Sequence, residues 1–271
     1  MEVEKKKVIL ITGASSGIGL ASAERLAADG YIVYGTMRTQ DKAEPLRAIG
    51  VRPLIAEMTD FATLERAVEA VIAEEGRIDV LCNNAGFAQY GAMENVPIDD
   101  VRYQFEVNVY GMGYMTQLVL PYMRNAGGGR IINTSSMGGH IYMPLASWYH
   151  ATKHAVEGWS DCLRLELKPF GIDVVILEPG AIRTNFYKAL DTLTDKSKGT
   201  AYEEVTRRFV KTLAPETYSD PAVIADLMRT AVSARRPKTR YRGGKYAKLL
   251  IFIRRTFGDR VFDWVIMGML K

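Results

Sequence analysis

Apolar runs of about five residues recur along the first two thirds of the chain, and most are followed by a longer stretch with apolar positions at helical spacing. KVILIT (7–12), YIVYGT (31–36), RPLIAE (52–57), IDVLCN (78–83), GGRIINTS (128–135) and IDVVILEP (172–179) read as strands. Strands that are apolar on both faces lie between two helical layers, which predicts a parallel sheet. The spacing predicts helices over 18–28, 60–75, 98–125 and 147–169. In the second of these, Phe61, Leu64, Val68, Val71 and Ile72 share a stripe, and Asp60 is placed to cap its start. Gly30 suits a helix end, and Pro169–Gly171 and Pro179–Gly180 suit stops. The alternation runs from residue 7 to about residue 180 without a linker or repeat. The expected fold class is therefore α/β, a doubly wound parallel sheet of about seven strands, with residues 1–271 as one domain.

Composition changes this picture little. At 48% apolar and 24% charged residues the chain resembles an ordinary globular protein. Cys82 and Cys162 sit in apolar sequence, which points to neither a disulfide framework nor a zinc site, and a reducing, cytoplasmic setting is expected. No run reaches the roughly 20 apolar residues of a membrane span, and the N-terminus lacks a signal-type apolar core. A net charge of +4 is too small to imply nucleic acid. Its distribution is uneven, with ten Lys or Arg against one Asp from Arg235 to Arg260.

The first chemical signal is TGASSGIG (12–19), between the first strand and the first helix. Glycines there permit a tight turn and close approach of backbone to a pyrophosphate, and the helix N-terminus adds amide donors. Gly13, Ser15, Ser16, Gly17, Ile18 and Gly19 are thus candidate cofactor contacts in a Rossmann-type fold. The end of the second strand selects the cofactor. An acid there would bind the ribose 2′-hydroxyl of NAD, whereas an arginine accommodates the 2′-phosphate of NADP. Met37 holds the acid's position and Arg38 follows, so NADP(H) is expected.

The second signal is SWYHATKHA (147–155), which offers two i,i+4 pairs. Tyr149 and Lys153 stand one turn apart, about 6 Å along the helix axis. A nearby ammonium lowers a phenol's pKa from about 10 and makes the pair an acid–base unit. His150 and His154 share another face and lack a third ligand in reach, so a structural or interface role is expected of them.

Together these segments resemble the short-chain dehydrogenase/reductase family, and more closely its hydroxysteroid and retinol dehydrogenase-like members. The resemblance rests on the T-G-x-x-x-G-x-G loop, NNAG at Asn83–Gly86, Asn108, Ser136 with Tyr149 and Lys153, and PGAIRT at 179–184. It implies a catalytic set of Asn108, Ser136, Tyr149 and Lys153, in which Asn108 occupies a break in the long helix and holds a water linked to the lysine. It also implies cofactor contacts from Glu57 and Met58, from Asn83, Asn84, Ala85 and Gly86, from Tyr149 and Lys153, and from Pro179, Gly180, Ile182 and Thr184. Glu57 departs from the family's usual aspartate. Ser135 is the neighbouring decoy, which the two-residue strand period sends to the opposite side.

The implied activity is NADP(H)-dependent interconversion of a lipophilic ketone or aldehyde and its alcohol. The alternatives are a 3-oxoacyl thioester reductase and a catalytically silent NADP(H)-sensing protein. A lid is expected over 185–215, with Phe186, Tyr187, Leu190, Leu193, Tyr202, Phe209 and Leu213. Phe87, Tyr90, Met93, Met137, Ile141, Tyr142 and Met143 are expected to line the same cleft, and His140 to border it. The helical extension over 243–271 is expected first to pack over the pocket, with oligomerisation or peripheral contact with an anionic membrane as alternatives. The resemblance further implies a homodimer or homotetramer through helices 98–125 and 147–169.

Overall fold

In the computed structural model, which describes residues 6–184, 188–213 and 218–270, the apolar runs form one seven-stranded parallel sheet of order β3-β2-β1-β4-β5-β6-β7. The strands are β1 (Val8–Ile11), β2 (Ile32–Met37), β3 (Arg52–Ile55), β4 (Val80–Asn83), β5 (Gly129–Thr134), β6 (Ile172–Pro179) and β7 (Arg240–Gly243). The order reverses direction between β1 and β4, which opens a crevice beyond their C-terminal ends.

Successive side chains feed two layers. Ile9 and Ile11 pack under α1 (Gly17–Ala28), α2 (Ala43–Ala48) and a later helix that contributes Ile224 and Met228. Val8 and Leu10 face the opposite layer, built from α3 (Phe61–Glu75), α4 (Ile98–Phe105), α5 (Gly111–Asn125) and α6 (Ser147–Leu167). Beyond β6 the chain forms α7 (Lys188–Ser197), α8 (Glu203–Thr212), α9 (Ala222–Ser233) and α10 (Ala247–Met269).

The helix expected over 98–125 carries the break implied at Asn108 as a π turn at Glu106–Tyr110. Three local differences from the expected pattern have physical causes. β3 is an edge strand, so Arg52 and Ile55 are exposed and the run is not buried on both faces. Asp60 precedes α3, but its side chain does not cap; Thr63 Oγ1 donates to the Asp60 carbonyl instead. β7 is not apolar: Arg240 and Arg242 project into a buried acidic cluster, where ion pairing replaces burial of apolar surface.

The extension packs against α7 and α8. Leu250, Ile251, Phe262, Ile266 and Leu270 of α10 join Leu190, Leu193, Phe209 and Ile141 in a third apolar cluster. Phe186 and Tyr187 lie outside the described residues.

Candidate active site

The glycine loop is pinned before it meets any ligand. Thr12 Oγ1 accepts from the amides of Asn84 and Ala85 at 2.9 and 3.0 Å. Asn84 Nδ2 returns bonds to the carbonyls of Thr12 and Gly13. Gly13 and Gly17 have φ of +67° and +55°, a left-handed region that favours glycine. A Cβ at position 19 would lie 2.2 Å from the Gly13 carbonyl oxygen, so only glycine lets α1 begin there. Ser16 makes no side-chain cap, which leaves the first amides of α1 turned to the crevice.

A cavity of about 570 Å³ runs from this loop to the lid helices. Gly13, Ser15, Ser16, Gly17, Ile18, Gly19, Arg38, Glu57, Met58, Asn84, Ala85, Gly86, Pro179, Gly180, Ile182 and Thr184 all line it, with Ser136, Tyr149 and Lys153. Arg38 is exposed at the end of β2, and the nearby Asp41 carboxylate is paired with Lys42 at 3.3 Å. The cradle of positive-φ glycines, uncapped helix amides and a terminal guanidinium fits a phosphorylated dinucleotide.

Two of the expected site residues, one a cofactor contact and one expected to act through a water, do not line the cavity. Asn83 is buried and donates to Thr116 Oγ1 and Asn133 Oδ1, each at 2.9 Å, so it braces β4 against β5 and α5. The resemblance implied a cofactor contact at Asn83, and its side chain is taken up by these bonds instead. Asn108 lies fully buried in the π turn. Its side chain accepts from the Phe87 amide at 3.0 Å and donates to the Phe87 carbonyl at 2.8 Å. It fixes the loop after β4 beside Gly86, where a Cβ would come 3.1 Å from Asn108 Oδ1 and 3.8 Å from Lys153 Nζ.

Ser136, Tyr149 and Lys153 converge on the cavity floor. Tyr149 and Ser136 are hydrogen-bonded through their side chains. Ser136 Oγ also accepts from the Gly138 amide at 3.0 Å, which opens a short helical turn. Lys153 Nζ donates to the Thr134 carbonyl at 3.0 Å and lies 5.9 Å from the centre of the Tyr149 ring. Ser135 also lines the cavity, although the strand period was expected to turn it away, and its hydroxyl is buried beside Gly139.

Burial reverses the expected tuning of the phenol. It pushes Tyr149 up to about 12, against which the Ser136 bond acts in the lowering direction. Lys153 is drawn down to about 8 by burial, with Glu157 opposing. Desolvation dominates because both side chains are buried and the Lys153 ammonium is aimed at the Thr134 carbonyl.

Among the histidines, only the placement of His140 needs correction. His150 is buried on the cavity wall, with Nδ1 2.8 Å from the Gly138 carbonyl and Nε2 accepting from the Met143 amide at 3.1 Å. Accepting at Nε2 makes Nδ1 the protonated nitrogen of a neutral ring. It positions the loop that carries Ser136, which is the structural role expected of it. His154 is exposed and bonds the His150 carbonyl through Nδ1. His140 does not border the cavity; it turns away to Glu178 at 2.9 Å and Glu157 at 3.4 Å. Arg240 bridges the same two carboxylates at 2.9 Å each, and Arg242 joins Glu178. Guanidinium groups thus neutralise a triad whose spacing alone would suit a cation.

Toward the lid, the wall is apolar and aromatic: Phe87, Tyr90, Ile141, Met143, Phe209 and Leu213, with Met137 beside Ser136. Met93 is 60% exposed and Tyr142 packs edge-on to Phe262, so neither lines the cleft. Tyr218, absent from the expectation because it follows the presumed lid, does line it.

With this geometry in place, the comparisons are direct. Residues 7–194 match the family model for short chain dehydrogenase. The chain is 46% identical over 181 residues to 3-ketodihydrosphingosine reductase of Bacteroides thetaiotaomicron, covering 66% of this chain and 65% of that one. It is 35% identical to the NADPH-dependent 3-dehydrocapnine reductase of Ornithobacterium rhinotracheale, covering 86% of each. It is also 35% identical to human 17-beta-hydroxysteroid dehydrogenase type 1, covering 87% of this chain and 77% of that one. A solved short-chain dehydrogenase from Streptomyces avermitilis superposes with a TM-score of 0.80 at 35% identity, covering 98% of both chains. The protein belongs to the short-chain dehydrogenase/reductase family. It is an oxidoreductase acting on CH–OH groups, with hydroxysteroid dehydrogenases and ketoreductases among its relatives.

Proposed function

We propose that the protein is an NADP(H)-dependent reductase of lipophilic ketones, running in reverse as an alcohol dehydrogenase. The observation that carries this reading is the placement of Ser136, Tyr149 and Lys153 on one cavity between the glycine loop and an apolar lid. Arg38 at the rim, with Met37 in the acid's place, supports NADP(H) over NAD(H). Two relatives whose names specify reduction of a 3-keto or 3-dehydro compound support the ketone, and one of those names specifies NADPH. The cytoplasmic setting and a dimer or tetramer remain part of this proposal.

When bound, the nicotinamide cofactor supplies the hydride. Gly13 to Gly19, Arg38 and Asn84 to Gly86 would hold its adenosine and phosphate portion, and Ile182 and Thr184 its nicotinamide side. Ser136 Oγ orients the substrate oxygen and Tyr149 donates a proton to it as the alkoxide develops. A phenol held near 12 is fully protonated at neutral pH and ready as the acid of reduction. A cationic Lys153 beside it steadies the phenolate left behind. Tyr90 and Phe209, with ring centres 5.9 Å apart, set an aromatic wall for the substrate chain.

The test is a panel of lipophilic ketones followed by NADPH absorbance, with NADH in parallel and Arg38→Asp beside wild type. Turnover with NADPH that shifts toward NADH in Arg38→Asp is expected. Unchanged cofactor preference in the variant would refute the NADP(H) assignment.

A further inference from the structure

Helix α10 has two faces of unequal fate. Leu250, Ile251, Phe262 and Ile266 are buried against the lid. Leu249, Phe252, Phe257, Val261, Trp264 and Met267 point outward, 42% to 75% exposed. These six are among 15 exposed large apolar residues of the described chain, yet the helix has only 23 residues. Single exposed apolar residues are ordinary; a concentration on one element marks an interaction surface. Phe252 and Phe257 meet edge to face at 6.1 Å, which carries the stripe up to the break at Gly258, where φ is +75°.

Charge narrows the partner. Lys248, Arg255 and Arg260 are exposed on the same helix. Asp259 is paired with Arg254, Asp263 keeps its charge while accepting from Tyr142 at 2.8 Å, and Arg255 also reaches His140 at 3.3 Å, so cations still outnumber carboxylates on this helix. A second copy meeting this face about a two-fold axis would set like cations near one another. An anionic lipid surface offers the opposite charge and takes up the aromatic and aliphatic side chains as well. No helix among the described residues is long and apolar enough to cross a membrane, so the contact lies in the interface plane.

We propose that the outer face of α10 docks the protein on an anionic lipid bilayer. The inner face of the same helix packs on Phe209, which lines the cavity, so docking brings the lid side to the lipid. If the substrate is lipophilic, as proposed above, it is concentrated where the lid opens; the docking itself does not depend on that reading.

Flotation with vesicles of phosphatidylcholine alone, and of phosphatidylcholine with phosphatidylserine, tests this. Wild type is expected to float with the anionic vesicles only. Lys248→Ala/Arg260→Ala should bind about 30-fold more weakly. Phe252→Ser/Trp264→Ser should remain at the bottom, with both double variants keeping the wild-type thermal melt. Tyr149→Phe should float like wild type, which separates docking from catalysis. Failure of wild type to float, equal flotation with neutral vesicles, or flotation unchanged in both double variants would overturn the proposal. So would a dimer that dissociates in Phe252→Ser/Trp264→Ser without any vesicle binding.

Discussion

His150 holds the Gly138 carbonyl at 2.8 Å, and the Gly138 amide in turn holds Ser136 Oγ at 3.0 Å. A buried neutral imidazole thereby sets the loop that presents the serine. Burial holds His150 down at about 4, against an ordinary value of 6.5. Because the folded value is the lower one, its contribution to stability is present above pH 6.5 and is lost as pH falls toward 4. The loss amounts to about 3 kcal/mol. In His150→Phe this acid limb should flatten in denaturant titrations. The variant should also lose roughly 2–4 kcal/mol at neutral pH, because a buried carbonyl and a buried amide lose their partner.

The charged cluster behind the site responds in the opposite sense. Burial lowers His140, but Glu157 and Glu178 outweigh it and hold the ring up at about 8. Its stabilising contribution is complete below pH 6.5 and fades as pH rises past 8. Removing Arg240 leaves Glu157 and Glu178 short of a counter-charge in a buried place. Arg240→Met should cost about 3–5 kcal/mol. NMR titration should find His140 above 8 in that variant, since a neighbouring cation is gone.

The glycine loop gives a prediction separable from catalysis. In Gly19→Ala the new methyl would lie 2.2 Å from the Gly13 carbonyl oxygen and 2.6 Å from Asn84 Nδ2. Neither atom can yield easily, because Asn84 also bonds the carbonyls of Thr12 and Gly13. A destabilisation of about 1–3 kcal/mol is expected by thermal melting, together with weaker NADPH binding by fluorescence titration.

The sheet and the glycine loop were legible because both follow from local rules: apolar runs of strand length and glycines where backbones meet. β7 was not, because Arg240 and Arg242 reach inward to acids that lie some 60 to 80 residues away in sequence. The place of His140 was hidden for a similar reason, since Glu178 lies 38 residues away, whereas a structural role for His150 was expected and only its partners were not. Helical phase placed His150 off the Tyr149 face, but the loop at Gly138 and Met143 folds back over it. The bracing role of the Asn83 side chain was not legible, because its partners Thr116 and Asn133 lie 33 and 50 residues away. The reversal at Tyr149 is a matter of magnitude: spacing identified the neighbouring ammonium, while only the fold shows how deeply the two side chains are buried.

The central claim is that Tyr149 supplies the proton in NADPH-dependent ketone reduction. It is tested most directly by comparing wild type with Tyr149→Phe on a ketone that wild type turns over, with NADPH affinity measured alongside. Turnover should fall about 10²- to 10⁴-fold while NADPH binds as before. Undiminished turnover in the phenylalanine variant would contradict the account.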